Sequence, residues 1–499
     1  MKRYIFNRVL RSLVSIFLVT TLIYAIIFAL VPRHKIFNQD SNYSKMAAKP
    51  DQKTDYENTV YENMGYIDYL NAKELQKGAS ESDSSVTVEV TDANKAIYEK
   101  YVKSLGNGWT LKQLPESKTF YATREIPLYE RIFDFYSHLI QIDHPWKIKD
   151  KENPDLERYV RIENDPSIGW SVVGSGTKHK YLLYFNGSFP YIHQNFVTLN
   201  LGNSYPTYQG YSVLQVITQG QGKTESKEVT FPTGVTKNSS INIYSRTYKN
   251  PNSLDAQTIA NFGKGDAYTA TTNNYKDPSM LFSSSVVGLV GVILSYLIGI
   301  PLGVYMARFK DTWFDSLGTM GMTFMLAVPS IATIYVIRFL TGLIGWPDAF
   351  PTLGADDWRS YAGPALVLAV LGIPGLAVWV RRYLIDQQLS DYVRFARAKG
   401  LSEKEISNNH IFKNSMVPIV ANIPGAIVGV IVGATLTEKI YAFPGMGKTL
   451  IDGIQASNNN MVVGLSFIFS ALGILAVMLG DILMTVLDPR IKLATKGGK

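Results

Sequence analysis

Arg394, Arg397 and Lys399 crowd a short stretch that ends at Gly400, and Ser402 and Glu405 follow at the spacing of a helix-capping box. Residues of these types can dock an acidic surface. They form no catalytic constellation, so the chemistry they suggest is recognition and not catalysis. The six histidines, His34, His138, His144, His179, His193 and His410, include no i, i+4 pair, and no metal site is expected. With no cysteine in the chain, disulfides, cysteine metal sites and a catalytic thiol are excluded. Gly445-Met446-Gly447-Lys448-Thr449 looks like a phosphate-binding loop, but Ala442 stands where its first glycine is required, and no strand-loop-helix context surrounds it. Nucleotide binding is therefore not expected there. Two carboxylates, Glu438 and Asp481, stand in or beside apolar runs. An ionised Asp481 inside such a run is costly unless it faces a partner or a wet cavity.

The basic cluster needs helices to present it. Ser390 or Asp391 suits the cap of a first helix reaching Lys399, and Gly400 suits the left-handed residue that ends it. A second helix is then expected from the Ser402/Glu405 box toward Asn414, giving a short helical elbow between two apolar runs.

The chain has 499 residues, 46% hydrophobic and 18% charged, but this mean hides a split. Residues 12–32 and 282–487 are strongly apolar, whereas the segment between them is polar and rich in Tyr, Asn, Ser and Lys. A span needs about 20 apolar residues. Six candidates result, near 12–31, 281–306, 316–340, 363–380, 417–437 and 461–487. Pro301, Pro329, Pro374 and Pro424 fall inside them; membrane helices tolerate proline, which marks candidate bends. Lys2, Arg3, Arg8 and Arg11 precede the first span, Arg308 and Lys310 follow the second, Arg381 to Lys399 follow the fourth, and Arg490 and Lys492 follow the sixth. The positive-inside rule makes all four clusters cytoplasmic, termini included. The first apolar run is too long for a signal-peptide core and is expected to stay as an anchor. Arg338, near the outer end of the third span, is expected to snorkel.

Residues 32–278 are then extracellular, too long for a simple connection. Helical patterns near 56–75, 94–105 and 126–142, with strand-like alternation at 85–91, 180–185, 227–231 and 240–248, predict an α+β domain. The Asn-X-Ser sequences at Asn42, Asn186 and Asn238 are too common a pattern to mean anything alone.

Several motifs carry a family resemblance. Ala396, Ala398, Gly400, Leu401 and Pro418 fall where binding-protein-dependent ABC importer permeases have the alanine, glycine and Ile/Leu-x-x-Pro positions of their EAA loop. Glu438 to Gly447, EKIYAFPGMG, resembles the E-x-h-F-x-x-P-G-h-G signature of oligopeptide permeases, with Tyr441 in the aromatic place. Leu487-Asp488-Pro489-Arg490 resembles their exit from the last helix, and Leu201-Gly202-Asn203-Ser204-Tyr205 resembles the L-G-x-S-Y after their first span, although Leu199-Asn200 replaces the usual Gly-Asp.

The resemblance implies a six-helix type I ABC importer permease, an α-helical polytopic membrane protein with a large α+β extracellular insert between helices 1 and 2. Its parts would be 1–31, cytoplasmic N-terminus and first helix; 32–278, extracellular domain; 279–490, permease core with a coupling loop at 381–416; and 491–499, a cytoplasmic tail. It further implies a second homologous permease subunit, two cytoplasmic ABC ATPases that bind ATP and Mg, and an extracellular lipid-anchored binding protein delivering oligopeptides. The chain itself is expected to hold no cofactor and to be no enzyme. Membrane lipids surround it, and no nucleic-acid partner is expected. The implied coupling residues are Arg394, Phe395, Ala396, Arg397, Ala398, Lys399, Gly400 and Leu401, with Phe395, Ala396 and Ala398 entering a groove on an ATPase. Glu438, Phe443, Pro444 and Gly445 are candidates for an external gate. The outsized insert points to Ami-type systems of Gram-positive bacteria. A multi-span surface receptor or adhesion protein is the alternative of a different class, and dipeptides, nickel or opines are alternative cargoes.

Overall fold

The computed structural model describes residues 2–82, 86, 91–146, 158–165, 168–174, 181–185, 191–248, 255–263 and 268–487. The Asp488-Pro489-Arg490 exit, the 491–499 tail, Asn186 and nearly all of the expected strand at 85–91 lie outside them.

Among the described residues five helices are long and apolar enough to cross a membrane: Ile5–Leu30, Met280–Arg308, Arg359–Gln388, Ile423–Ile440 and Asn459–Leu487. The expected third span is instead two helices, Trp313–Ala327 and Ser330–Leu343, bent by 104°. Pro329 explains the break: it pushes Val328 into an extended conformation (ψ 129°) and starts the second helix. Pro424 likewise opens a helix, Ile423–Gly433, directly after Lys413–Ala421. Pro301 and Pro374, by contrast, lie within unbroken helices.

The tightest seam joins Met280–Arg308 to Arg359–Gln388. Glycines let the backbones approach: a Cβ on Gly303 would stand 2.6 Å from the Ala377 carbonyl oxygen, and one on Gly291 2.8 Å from Leu368 Cβ. The first and last helices run antiparallel, because Arg8 pairs with Asp481 while Tyr24 and Phe28 share a core with Val463. Gly480 meets the Ala421 carbonyl, which places the Asp481 end beside the elbow.

Between the first two long apolar helices lies an α+β insert. A three-stranded antiparallel sheet, Ile67–Leu70, Phe120–Glu125 and Trp109–Gln113 in spatial order, packs against helices Ala72–Ser82 and Asp92–Ser104 over Leu75, Ala79, Tyr98, Val102, Phe120 and Ala122. The pattern at 56–75 is thus not one helix. Pro50–Asn63 ends before Gly65, whose φ of +68° turns the chain, and Ile67–Leu70 then alternates inward and outward as an inner-face strand does. Helices Asp92–Ser104 and Leu128–Leu139 and strands Tyr181–Phe185, Lys227–Thr230 and Ile241–Tyr248 occupy the expected places. A second sheet of four antiparallel strands contains Val160–Asp165, Gly169–Gly174, Tyr181–Phe185 and Ile192–Gln194.

Three asparagines at the start of the last helix bolt this insert to the bundle. Asn458 donates to Ser204 Oγ and Thr207 Oγ1, both at 2.8 Å, and its Oδ1 accepts from Met461 N at 3.2 Å. Asn459 donates to Tyr66 OH (2.7 Å) and Asn460 to the Asn203 carbonyl (2.9 Å). Gly202, at φ +83°, leaves no room for a side chain beside Asn460, which gives the L-G-x-S-Y segment its physical rationale. Tyr205 then reaches Asp40, which also accepts from Tyr56 OH at 2.6 Å and Asn42 N at 2.9 Å.

Candidate coupling elbow and outer hairpin

The elbow begins where Arg359–Gln388 stops. Helix Asp391–Ala398 follows with Ser390 at its N-cap position, although the Ser390 hydroxyl donates back to the Gln387 carbonyl (2.5 Å) and does not cap. Gly400 adopts φ +79°, its N–H meets the Arg397 carbonyl at 2.9 Å, and Leu401 N–H meets the Ala396 carbonyl at 3.3 Å. These bonds satisfy the last carbonyls of the helix in the manner of a glycine C-terminal turn. The Ser402/Glu405 capping box forms as the spacing requires, with Ser402 N to Glu405 Oε2 at 2.9 Å and Glu405 N to Ser402 Oγ at 3.3 Å. Its helix does not end near Asn414. It passes through wide turns at Ile406–Phe412 directly into Lys413–Ala421, so elbow and following bundle helix are mechanically continuous.

One face of the elbow is core. Val393, Ala396, Ile406 and Ile411 pack with Ala307, Leu376, Val380 and Leu384 at the ends of the two seam helices. Ala396 is therefore inside the elbow, where its small size lets the two elbow helices close. It is not a groove-facing residue. The opposite face presents Arg394, Phe395, Arg397, Ala398, Lys399 and Gly400, with Phe395 68% exposed. Leu401 is half-buried. Arg397 is already paired: two bonds to Glu403, of 2.6 and 3.1 Å, stitch the helices across the turn. This pairing raises the arginine pKa and lowers the glutamate pKa. Arg394 lies 3.5 Å from Asp391.

A hairpin at the end of the bundle opposite the elbow is built around Glu438. Its side chain is fully buried, accepts from Ser284 Oγ at 2.6 Å and from Lys448 N at 2.9 Å, and Ser284 Oγ in turn accepts from Met446 N at 2.9 Å. Helix Met446–Gln455 thus has its N-terminal N–H groups, a ready anion site, filled by the chain's own carboxylate. That is the structural content of the phosphate-loop look-alike. Gly445 is indispensable to it, since a Cβ there would lie 2.2 Å from the Glu438 carboxyl carbon. Phe443 is buried with ring centroids 5.2 Å from Phe350 and 5.5 Å from Tyr361, and Pro444 is half-buried. Of the four gate candidates, three are packed inside. Arg338 does not simply snorkel. It donates to the Ile440 carbonyl and pairs with Asp348, each at 3.2 Å, bracing the hairpin from the side.

Asp481 finds its partner in Arg8, so the intramembrane charge is a contact between the first and last helices. Two groups were not legible as site residues. Asp315, buried, holds Arg381 through bonds of 2.5 and 2.6 Å, and Ser284 supports Glu438. Neither has a local signal, because each partner is remote in the chain. Among the described residues no group of His, Asp and Glu is arranged to hold a metal ion.

Comparisons with known proteins fit this architecture. Residues 299–493 match the model of the binding-protein-dependent transport system inner membrane component. The oligopeptide transport system permease protein AmiC of Streptococcus pneumoniae serotype 4 is 64% identical over 499 residues, covering 100% of both chains. The dipeptide transport system permease protein DppB of Lactococcus lactis is 29% identical over 235 residues, 47% of this chain and 76% of that protein. An inward-facing structure of the MetNI methionine ABC transporter aligns at 14% identity over 42% of this chain and 94% of its own, with a TM-score of 0.34, which is too low to bear on the argument. Full-length identity of this degree settles membership: the chain belongs to the binding-protein-dependent transport system inner membrane components, the permeases with the type I ABC importer fold.

Proposed function

We infer that this chain is a permease subunit of an ATP-driven importer of oligopeptides, working with a second homologous permease, two cytoplasmic ATPases that bind ATP and Mg, and an extracellular lipid-anchored binding protein. The observation that carries the cargo assignment is the full-length likeness, insert included, to AmiC, an oligopeptide transport permease. The L. lactis relative, named for dipeptides, matches only 47% of the chain, against 100% for AmiC.

The elbow is the coupling element. Its exposed Phe395, flanked by Arg394 and Lys399, offers an apolar anchor inside a basic rim, while its buried face joins the ends of two bundle helices. Force applied at Phe395 would pass through Val393 and Ala396 to Leu384 and Val380, and through the continuous 403–421 helix to the next span. Closure of the ATPases would then re-aim the bundle as a rigid-body switch. Basic clusters at Arg8, Arg308, Arg381 and the elbow lie at one end of the bundle, and the positive-inside rule makes that end cytoplasmic. The insert and the outer hairpin face outside, where Glu438, Phe443, Pro444 and Gly445 shape the mouth of the pathway as a packed unit.

The test is purification of the tagged chain in mild detergent, followed by peptide uptake in cells lacking it. Copurification of ATP-hydrolysing subunits and loss of oligopeptide uptake are expected. A chain that purifies alone while uptake proceeds normally would overturn the assignment.

A further inference from the structure

Helix Leu128–Leu139 carries an aromatic stripe whose first two rings, Tyr129 and Phe133, stand out from the chain's own core. Tyr129, Phe133, Tyr136 and Ile140 follow one another at helical spacing, and Tyr129 and Phe133 are 75% and 71% exposed. Glu130, Asp134 and His138 form a second, polar stripe one step round the helix. The helix packs along the first apolar helix, and the contact lies deep. Tyr136 packs at a tilt against Phe17 with ring centroids 4.7 Å apart, and its hydroxyl donates to the Phe17 carbonyl at 2.9 Å and lies 2.9 Å from Thr21 Oγ1. Phe17 stands midway along the candidate span Ile5–Leu30, about 20 Å from Leu30 at about 1.5 Å per residue.

We propose that Leu128–Leu139 is not an ordinary piece of the soluble insert but a membrane-embedded helix, whose Tyr129/Phe133 stripe lies among lipid acyl chains of the leaflet on the insert's side. Continuity is the first argument. Phe17, which Tyr136 touches, is itself exposed, as are Leu13, Leu22 and Leu30 on the same spanning helix, so the stripe extends a surface that already faces lipid. The second is hydrogen-bond accounting. A tyrosine hydroxyl in hydrocarbon must find a partner, and Tyr136 takes a helix carbonyl and a threonine inside the span. The third is the fate of the charges. Glu130 is paired with Arg124 at 2.8 Å, Asp134 and His138 line an open cavity of about 190 Å³ together with Asn63, Asn200 and Asn460, and Arg131 is buried 4.2 Å and 4.3 Å from the ring centroids of Phe28 and Tyr66. The stripe is also bulky and aromatic. Helices that pack on another membrane subunit use small residues instead, whereas a tyrosine at the outer end followed by a phenylalanine suits the descent from headgroups into chains. The insert would thereby be held at a fixed height above the pathway, whatever the cargo.

The absence of cysteine makes the test direct. Nitroxide labels are attached to Tyr129→Cys and Phe133→Cys in the assembled transporter in nanodiscs, with Leu22→Cys as lipid reference and Ser80→Cys as aqueous reference. The ratio of oxygen to nickel-chelate collisions at 129 and 133 should stand several-fold above that at 80 and match 22. Nickel accessibility equal to that at 80 would place the stripe in water and overturn the proposal. Exclusion of both reagents would place it under a partner protein and overturn it equally. Because two positions are read, one variant that fails to assemble leaves the other decisive.

Discussion

Arg381 grips Asp315 with two parallel hydrogen bonds of 2.5 and 2.6 Å, which ties the helix leading into the elbow to the start of the bent pair at Trp313. Asp315 also accepts from Asp311 N at 3.1 Å, so its oxygens are shared between a turn and a neighbouring helix. Replacing it with alanine strands a guanidinium that is three-quarters buried. We expect Asp315→Ala to lower stability in detergent by about 3 kcal/mol, the low end for a broken buried pair because Arg381 keeps some contact with solvent. Thermal unfolding checks this, and the exchange Asp315→Arg with Arg381→Asp should recover part of the loss.

At Gly400 the cost of substitution is conformational only, since nothing lies within 4 Å of where a Cβ would stand while φ is +79°. Valine should cost about 1–2 kcal/mol and misaim Asp391–Ala398, whereas asparagine, which tolerates this region, should cost less. The expected order of peptide uptake is glycine, asparagine, valine, with peptide-stimulated ATP hydrolysis falling in step. Equal uptake by all three, with normal assembly, would show that elbow aim is irrelevant to coupling.

What was legible in the sequence was local. Gly400 and the Ser402/Glu405 box punctuate the elbow through rules that operate within a few residues, and long apolar runs declare their own spans. What was not legible depends on distant partners: Ser284 is separated from Glu438 by 154 positions and Asp315 from Arg381 by 66. The inward face of Ala396 belongs to the same class, because an alanine reads equally well as a surface contact or as core. Hydropathy also could not see the 104° bend, since extended Val328 and Pro329 are as apolar as a helix would require. The strand Ile67–Leu70 was masked by helices on both sides, with only Gly65 to signal the change.

The hairpin around Glu438 offers a steric test without backbone strain, because Gly445 has a negative φ of −130°. Gly445→Ala forces its Cβ against a carboxylate pinned by Ser284 and Lys448, and should destabilise by about 1–3 kcal/mol. Shortening the partner, Glu438→Asp, relieves the clash, so the double variant should lose less than the two single losses combined. Unfolding midpoints of the four proteins measure that coupling directly.

Asp40 makes the junction between insert and bundle sensitive to pH. Burial alone would raise its pKa, but hydrogen bonds from Tyr205, Tyr56 and the backbone of Asn42 and Tyr43 outweigh burial and hold it below the usual carboxylate range. A depressed folded value contributes stability above the unfolded pKa of about 3.9, lost as pH falls through the folded pKa. Asp40→Asn should therefore be less stable than the parent at neutral pH, with the gap closing below about pH 4. Melting curves across that range decide it; a gap independent of pH would assign the loss to geometry and not to charge.

Phe395 and Ala396 are adjacent but face opposite media, and the coupling hypothesis stands on that difference. Phe395 is 68% exposed, so Phe395→Ala removes no core contact and should leave the melting temperature within the scatter of surface substitutions, about 0.5 kcal/mol. If its ring fills a groove on an ATPase, truncation should instead weaken retention of the ATPases during purification and reduce uptake, with a loss above about 2 kcal/mol expected of an aromatic anchor. Ala396 is packed among Val393, Ile406 and Ile411, so Ala396→Glu buries an unpaired charge and should destabilise the elbow before any partner is involved. Stability and ATPase retention thus separate the two positions: the first variant should change retention alone, the second should change both. Normal ATPase retention and uptake by Phe395→Ala would remove the ring from the coupling surface and leave the elbow's exposed face with only its charges to make the contact.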